Sequence, residues 1–208
     1  MNKLKIVQCS FGDGYAGSAK MAILSSAELM HMGHDVTMYV SQNSLTEKRS
    51  LERKIPTVFF DTSQEKKSLF AEIDKTFLEN IPEYFIAYHS LDRKAGIYLK
   101  RKHKKKFINI ASRQNITKSA PIIGSFIYNR YYDYQIACSK GVEESLAKSG
   151  IKKNKIKVLN NCIEVPDNLE EISGGNIRKT LPADKTILGL STWFHKERKG
   201  FDILFKAF

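Results

Sequence analysis

Residues 4–40, LKIVQCSFGDGYAGSAKMAILSSAELMHMGHDVTMYV, decide the fold. Leu4 to Gln8 is short, apolar and β-branched, which suits a buried strand. It opens into a loop of small residues, Ser10 to Ser18, that holds Gly12, Gly14 and Gly17. From Ser18 to Met32 the apolar residues Met21, Ile23, Leu24, Ala27, Leu29 and Met30 recur at helical spacing. Gly33 closes that helix, because glycine accepts the left-handed conformation of a C-terminal cap. Val36 to Val40 is again strand-like. A strand, a helix and a second short apolar strand form one βαβ unit, which implies parallel pairing.

The same alternation continues outward. Residues 42–54 are polar and read as a surface segment. Thr57–Phe60 reads as a strand and Glu65–Glu79 as a helix. Tyr84–Tyr88 is a strand running into His89-Ser90, followed by a helix over Asp92–Lys100. Phe107–Ala111 is a strand, and Ile122–Tyr132 a helix packed against the sheet. Tyr134–Cys138 is a strand, and Ser139 is a suitable N-cap for the helix that ends at Gly150. Lys155–Leu159 is a further strand. The expected class is α/β, a Rossmann-like parallel sheet with helices on both faces. Residues 1–165 form this domain. Residues 166–184, with Gly174-Gly175 and two prolines, read as a linker. Residues 185–208 read as the opening βα unit of a second domain, because a lone strand and half a helix cannot bury a core.

Three cysteines at wide spacing, Cys9, Cys138 and Cys162, supply no disulfide framework or zinc pattern and suit a reducing cytosol. No apolar run is long enough to span a bilayer, and MNKLKIVQCS enters a strand without a signal-peptide region. The net charge of +12 is partly concentrated in Lys100-Arg101-Lys102-His103-Lys104-Lys105-Lys106. That run admits two readings, a solvated helix end or a patch facing an anion such as a phospholipid head group. No RNA-binding signature accompanies it, and no nucleic-acid partner is expected.

In a parallel sheet the ligand crevice lies beyond the carboxyl ends of the strands. Three loops meet that condition: Cys9–Ala19, His89-Ser90 and Ser112–Lys118. The first is glycine-rich and leads into a helix N-terminus, a place where backbone amides can meet an anion. It is neither a Walker loop nor a strict dinucleotide fingerprint, and a plain surface loop has the same composition. His89 offers a polar contact or a base. Arg113 offers a partner for phosphate or carboxylate, and Gln114 follows it. No Ser/His/Asp order, metal-ligand cluster or carboxylate dyad is evident.

Together these pieces resemble the family 4 glycosyltransferases, retaining enzymes of the two-domain GT-B fold. Gly33-His34-Asp35-Val36 resembles the sequence that follows the first helix in that family. Gly17 stands as the second glycine of its Gly-Gly pair, with Ala16 at the first. Tyr134–Ser139 resembles its strand ending in serine. Ile156–Glu164 resembles its interdomain signature, matching at Asn161 and Glu164 but not at Asn160 and Cys162. Lys199-Gly200 matches the Lys-Gly that follows the first donor-domain strand.

The resemblance implies sugar transfer from a nucleotide sugar to a glycan or lipid-linked acceptor in cell-surface polysaccharide synthesis, with retention and no obligatory metal or other cofactor. It places Gly17, Lys199 and Arg198 at the donor phosphates, and Gly14, His89, Arg113 and Gln114 at the acceptor cleft. The family's acidic catalytic pair falls beyond residue 208, so the 208 residues alone are expected to be inactive. Trp193 replaces a family arginine, and Gln114 replaces a family histidine. The implied location is cytoplasmic, with peripheral contact at the inner membrane face through Lys100–Lys106 and Arg130-Tyr131-Tyr132. Two alternatives remain at this stage: a non-catalytic glycosyltransferase-like partner subunit, and a basic polyanion- or nucleic-acid-binding module.

Overall fold

A computed structural model describes residues 2–12, 14, 17–116, 123–165, 168, 179–182, 186 and 200–207. The chain forms two compact units, Met1–Cys162 and Ile163–Phe208. In the first, elements alternate as β1 (Lys5–Ser10), α1 (Gly17–His31), β2 (Asp35–Ser41), α2 (Leu45–Glu52), β3 (Thr57–Phe60), α3 (Lys66–Glu79) and β4 (Tyr84–Ala87). They continue as α4 (Ser90–His103), β5 (Ile108–Arg113), α5 (Ile123–Tyr131), β6 (Tyr134–Ala137), α6 (Lys140–Lys148) and β7 (Ile156–Val158). The seven strands form one sheet in the order β3-β2-β1-β4-β5-β6-β7, and every pair is parallel.

Helices cover both faces, as a parallel sheet requires. On one side Ala22 and Ile23 of α1 pack with Met38, Val40, Ile55 and Tyr88. On the other, Leu69, Ile73 and Phe77 of α3 and Ala95 and Leu99 of α4 pack with Val7, Cys9, Tyr39 and Phe85. β1 lies inside the sheet, between β2 and β4, and is buried on both faces after Lys5. From β1 the chain builds outward to β3, then returns to β4 and builds the other way. The strand order therefore switches between β1 and β4, where an open α/β sheet offers its crevice.

Three expectations need correction. Residues 42–54 contain a helix, α2. The Ser44 hydroxyl accepts the Glu47 amide at 3.1 Å, and the Glu47 carboxylate accepts the Asn43 amide, so both ends of a Ser-x-x-Glu motif are engaged. The helix at Ile123–Tyr131 packs on the sheet only in part: Tyr128 meets the cluster of Ala137, Val142 and Ile156, whereas Ile123 and Phe126 are exposed. Tyr132, offered above as a membrane contact, is instead core at 1% exposure.

The basic run is spent largely on internal partners. It forms the last turn of α4 and a 3-10 turn at Lys104–Lys106. Lys100 pairs with Asp133 at 2.6 Å. Lys102 and His103 pair with Asp74 at 2.6 and 2.5 Å. Arg101 lies over the Tyr131 ring. Because α4 starts at the carboxyl end of β4 and leads to the amino end of β5, the run lies at the end of the sheet opposite the crevice.

Asp74 makes this pairing pH-dependent. Burial alone would raise its pKa, but hydrogen bonds and charge from His103 and Lys102 outweigh burial and hold it below the usual carboxylate range. A carboxyl depressed in the folded state adds stability above its unfolded pKa of about 3.9, and that stability is lost as pH falls through the folded value. The urea midpoint should therefore drop below about pH 4. Asp74→Asn should lower it near neutrality and flatten the acid limb. An acid limb unchanged by Asp74→Asn would show that other carboxylates dominate.

In the second unit, Gly200 has a positive φ of 65° and precedes α7 (Phe201–Ala207). The Leu204 amide donates to the Gly200 carbonyl at 2.9 Å. Lys199, Arg198 and Trp193 lie outside the described residues.

Candidate functional site

The carboxyl ends of β1, β4 and β5 bring His89, Arg113 and Gln114 to one pocket of about 200 Å³, which Ser18, Arg93 and Asn115 also line. His89 is the N-cap of α4, in extended backbone conformation, so its ring projects where the strand gives way to the helix. Its Nε2 lies 2.8 Å from the Ser18 hydroxyl. Its Nδ1 lies 3.3 Å from Asp92 Oδ2 and 3.4 Å from the Ser10 hydroxyl.

Asp92 organises this corner. It is fully buried. Its Oδ1 accepts the Phe11 amide at 3.0 Å. Its Oδ2 accepts the Tyr88 amide at 3.1 Å and the His89 amide at 2.7 Å. One carboxylate thus ties the loop after β1 to the loop after β4, the two loops that border the switch point. Facing Asp92, the His89 Nδ1 is assigned as the protonated nitrogen, which leaves Nε2 as the acceptor for the Ser18 hydroxyl. Ser18, His89 and Asp92 are a hydrogen-bonded series absent from the sequence reading. Ser18 is 71 positions from His89 in the chain, and the only local signal is an acid three positions after His89 at a helix start. In chemical terms, His89 Nε2 can accept a proton from a hydroxyl placed where Ser18 now stands.

Behind the pocket, the Tyr88 hydroxyl donates to Gln8 at 2.6 Å and lies 3.1 Å from the Ser25 hydroxyl. Burial is the largest influence on it and lifts the phenol to about 12, so it serves as a neutral donor. Arg113 is 7% exposed. Burial, and then the neighbouring Arg93 charge, pull its pKa down. Gln114 donates to the Ser112 hydroxyl at 3.0 Å and accepts from Asn161 at 2.7 Å. Asn161, singled out above in the interdomain signature, is thereby joined to the pocket rim.

The three glycines of this loop differ in the space around them. Gly14 and Gly17 are exposed, and a Cβ on either would meet nothing within 4 Å. Gly12 is the constrained one. A Cβ there would lie 2.8 Å from His89 Nε2 and 2.9 Å from Cε1. Among the described residues no cluster of His, Cys, Asp and Glu could hold a metal ion, and no helix is long and apolar enough to cross a membrane.

This geometry sits in a fold seen before. The fold is that of one half of solved glycosyltransferase structures. No protein-family model and no curated protein matches the chain, but solved structures do. A glycosyltransferase from Rickettsia africae ESF-5 superposes with a TM-score of 0.70 at 14% identity, over 88% of this chain and 51% of that one. Anabaena Alr3699/HepE, solved with UDP and glucose, gives 0.68 at 15% identity, over 85% and 49%. The lipopolysaccharide outer core galactosyltransferase WaaB gives 0.57 at 16% identity, over 80% and 47%. The chain spans about half the length of these structures. At such identities the shared property is the fold.

Proposed function

We propose that this chain is the acceptor-side half of a retaining, family 4-like glycosyltransferase that uses a nucleotide sugar to extend a glycan or lipid-linked acceptor in cell-surface polysaccharide synthesis. The observation that carries this is the polar, cationic pocket at the β1–β4 switch point, in a fold shared with glycosyltransferases. His89 would hold the acceptor hydroxyl at Nε2. Gly14 and Gly17, with open space above them, would let donor phosphates approach the start of α1. Lys199 and Arg198 keep the donor-side roles that the resemblance gives them. No metal or other cofactor is needed in this scheme. The protein would work in the cytoplasm, in peripheral contact with the membrane.

By itself the chain is expected to bind sugar nucleotides weakly and to transfer nothing. Amide NMR with UDP-glucose and GDP-mannose should perturb Gly14, Gly17 and His89 first. Perturbation confined to other surfaces, or sub-micromolar affinity, would contradict the assignment. The polyanion-binding alternative is weakened by the fold itself, because Lys100, Lys102 and His103 are paired with Asp133 and Asp74.

A further inference from the structure

Two guanidinium groups converge on one tyrosine. Arg93 Nε donates to the Tyr128 hydroxyl at 3.4 Å, and Arg113 Cζ lies 5.3 Å from the centre of the same ring. Tyr128 is itself stacked on Tyr132, with centroids 5.5 Å apart and planes at 22°. The Tyr132 hydroxyl donates to the Arg93 carbonyl at 2.7 Å, and Arg93 Nη1 donates to the Tyr88 carbonyl at 2.8 Å. Both arginines are thus mounted on a rigid wall.

Both also line the pocket, whose described lining includes no carboxylate. Asp92, the nearest acid along the chain, is turned onto the amides of Phe11, Tyr88 and His89. An anion between them meets two positive charges at once, in a half-enclosed site where that attraction is stronger than in open water. Arginine's planar fork matches the oxygens of phosphate and carboxylate, and a fixed fork loses little freedom on binding. The pocket, of about 200 Å³, has room for a phosphate or one acidic sugar residue.

We propose that Arg93 and Arg113 clamp an anionic group of the acceptor, a phosphate or a carboxylate, and so present a neighbouring hydroxyl to His89 Nε2. The word acceptor rests on the transferase reading above; the anion site does not.

The test is a titration of the ¹⁵N-labelled chain with glucose 1-phosphate, glucuronate, glucose and UDP, each alone and then in competition. Glucose 1-phosphate or glucuronate should shift the amides of Ser90 and Asn115, and glucose should not. The tighter of the two names the source of the charge. Arg93→Gln and Arg113→Gln should each weaken that binding at least tenfold, and Arg93→Lys should recover part of it. If Arg113→Gln does not fold, the Arg93 pair decides. Equal binding of glucose, or binding unchanged in Arg93→Gln, overturns the anion site. UDP displacing the sugar acid with the same arginine dependence gives the site to the donor and overturns its assignment to the acceptor. If sugar acids bind but sugar nucleotides never reach Gly14 and Gly17, the transferase reading fails and the anion site stands.

Discussion

Asp92→Ala should be the most damaging single change in the first unit. Three backbone amides, those of Phe11, Tyr88 and His89, end on this carboxylate, and Asp92 has no exposed surface. Truncation leaves three donors without their acceptor at a buried corner. Each such loss costs about 1–3 kcal/mol, and partial entry of water reduces the sum to roughly 3–5 kcal/mol. For a chain of this size that lowers Tm on the order of 10 °C. Asp92→Asn should recover only part of the loss, because its amide group turns a donor toward donors. Urea denaturation of the three proteins checks this. A loss below about 1 kcal/mol in the alanine variant would mean the amides have other partners.

Gly12→Val should disable the pocket while leaving the fold standing. The added Cβ would sit 2.8 Å from His89 Nε2, and the ring is held on its other edges by Ser10, Ser18 and Asp92. The imidazole must move, and the Ser18 contact is lost with it. Overpacking of this kind costs about 1–3 kcal/mol of stability. Ligand binding at the crevice should fall at least tenfold, roughly 1.4 kcal/mol. Gly17→Val is the control for the His89 ring alone, since a side chain there enters open space and does not meet the imidazole. The ¹⁵N shifts of the His89 ring separate the two outcomes. They should change in Gly12→Val and stay as in wild type in Gly17→Val. An unchanged ring in Gly12→Val would mean that the loop, not the imidazole, gives way.

The alternation of strands and helices was readable because short β-branched runs and helical periodicity are local properties. The location of the crevice followed from topology, and with it the interest of His89, Arg113 and Gln114. Arg93 was within reach, since it lies one helical turn after His89 on the same face. The helix α2 was also within reach, because Ser44-Leu45-Thr46-Glu47 carries the Ser-x-x-Glu signature of a helix start; the polar composition of residues 42–54 masked it. What sequence could not supply were partners distant along the chain. Asp74 meets Lys102 and His103, and Asp133 meets Lys100, so a run that looks like an anion-facing patch becomes in large part a brace between helices and strands. Gly12 was indistinguishable from Gly14 and Gly17, because its constraint comes from a ring 77 positions away in the sequence.

The burial of Cys9 divides the thiols of this chain by reactivity. Cys9 sits in β1 with no exposed surface. Burial first, and the charge of Asp92 second, push its pKa well above the usual thiol range, so almost no thiolate forms to attack an oxidant or alkylating reagent. Cys162 is exposed and Cys138 half-buried. Oxidative damage therefore falls first on Cys162, one residue past the Asn161 that touches the pocket rim, while β1 is spared. Cys9 becomes chemically accessible only when β1 leaves the sheet, so its rate of modification measures how often the middle of the domain opens.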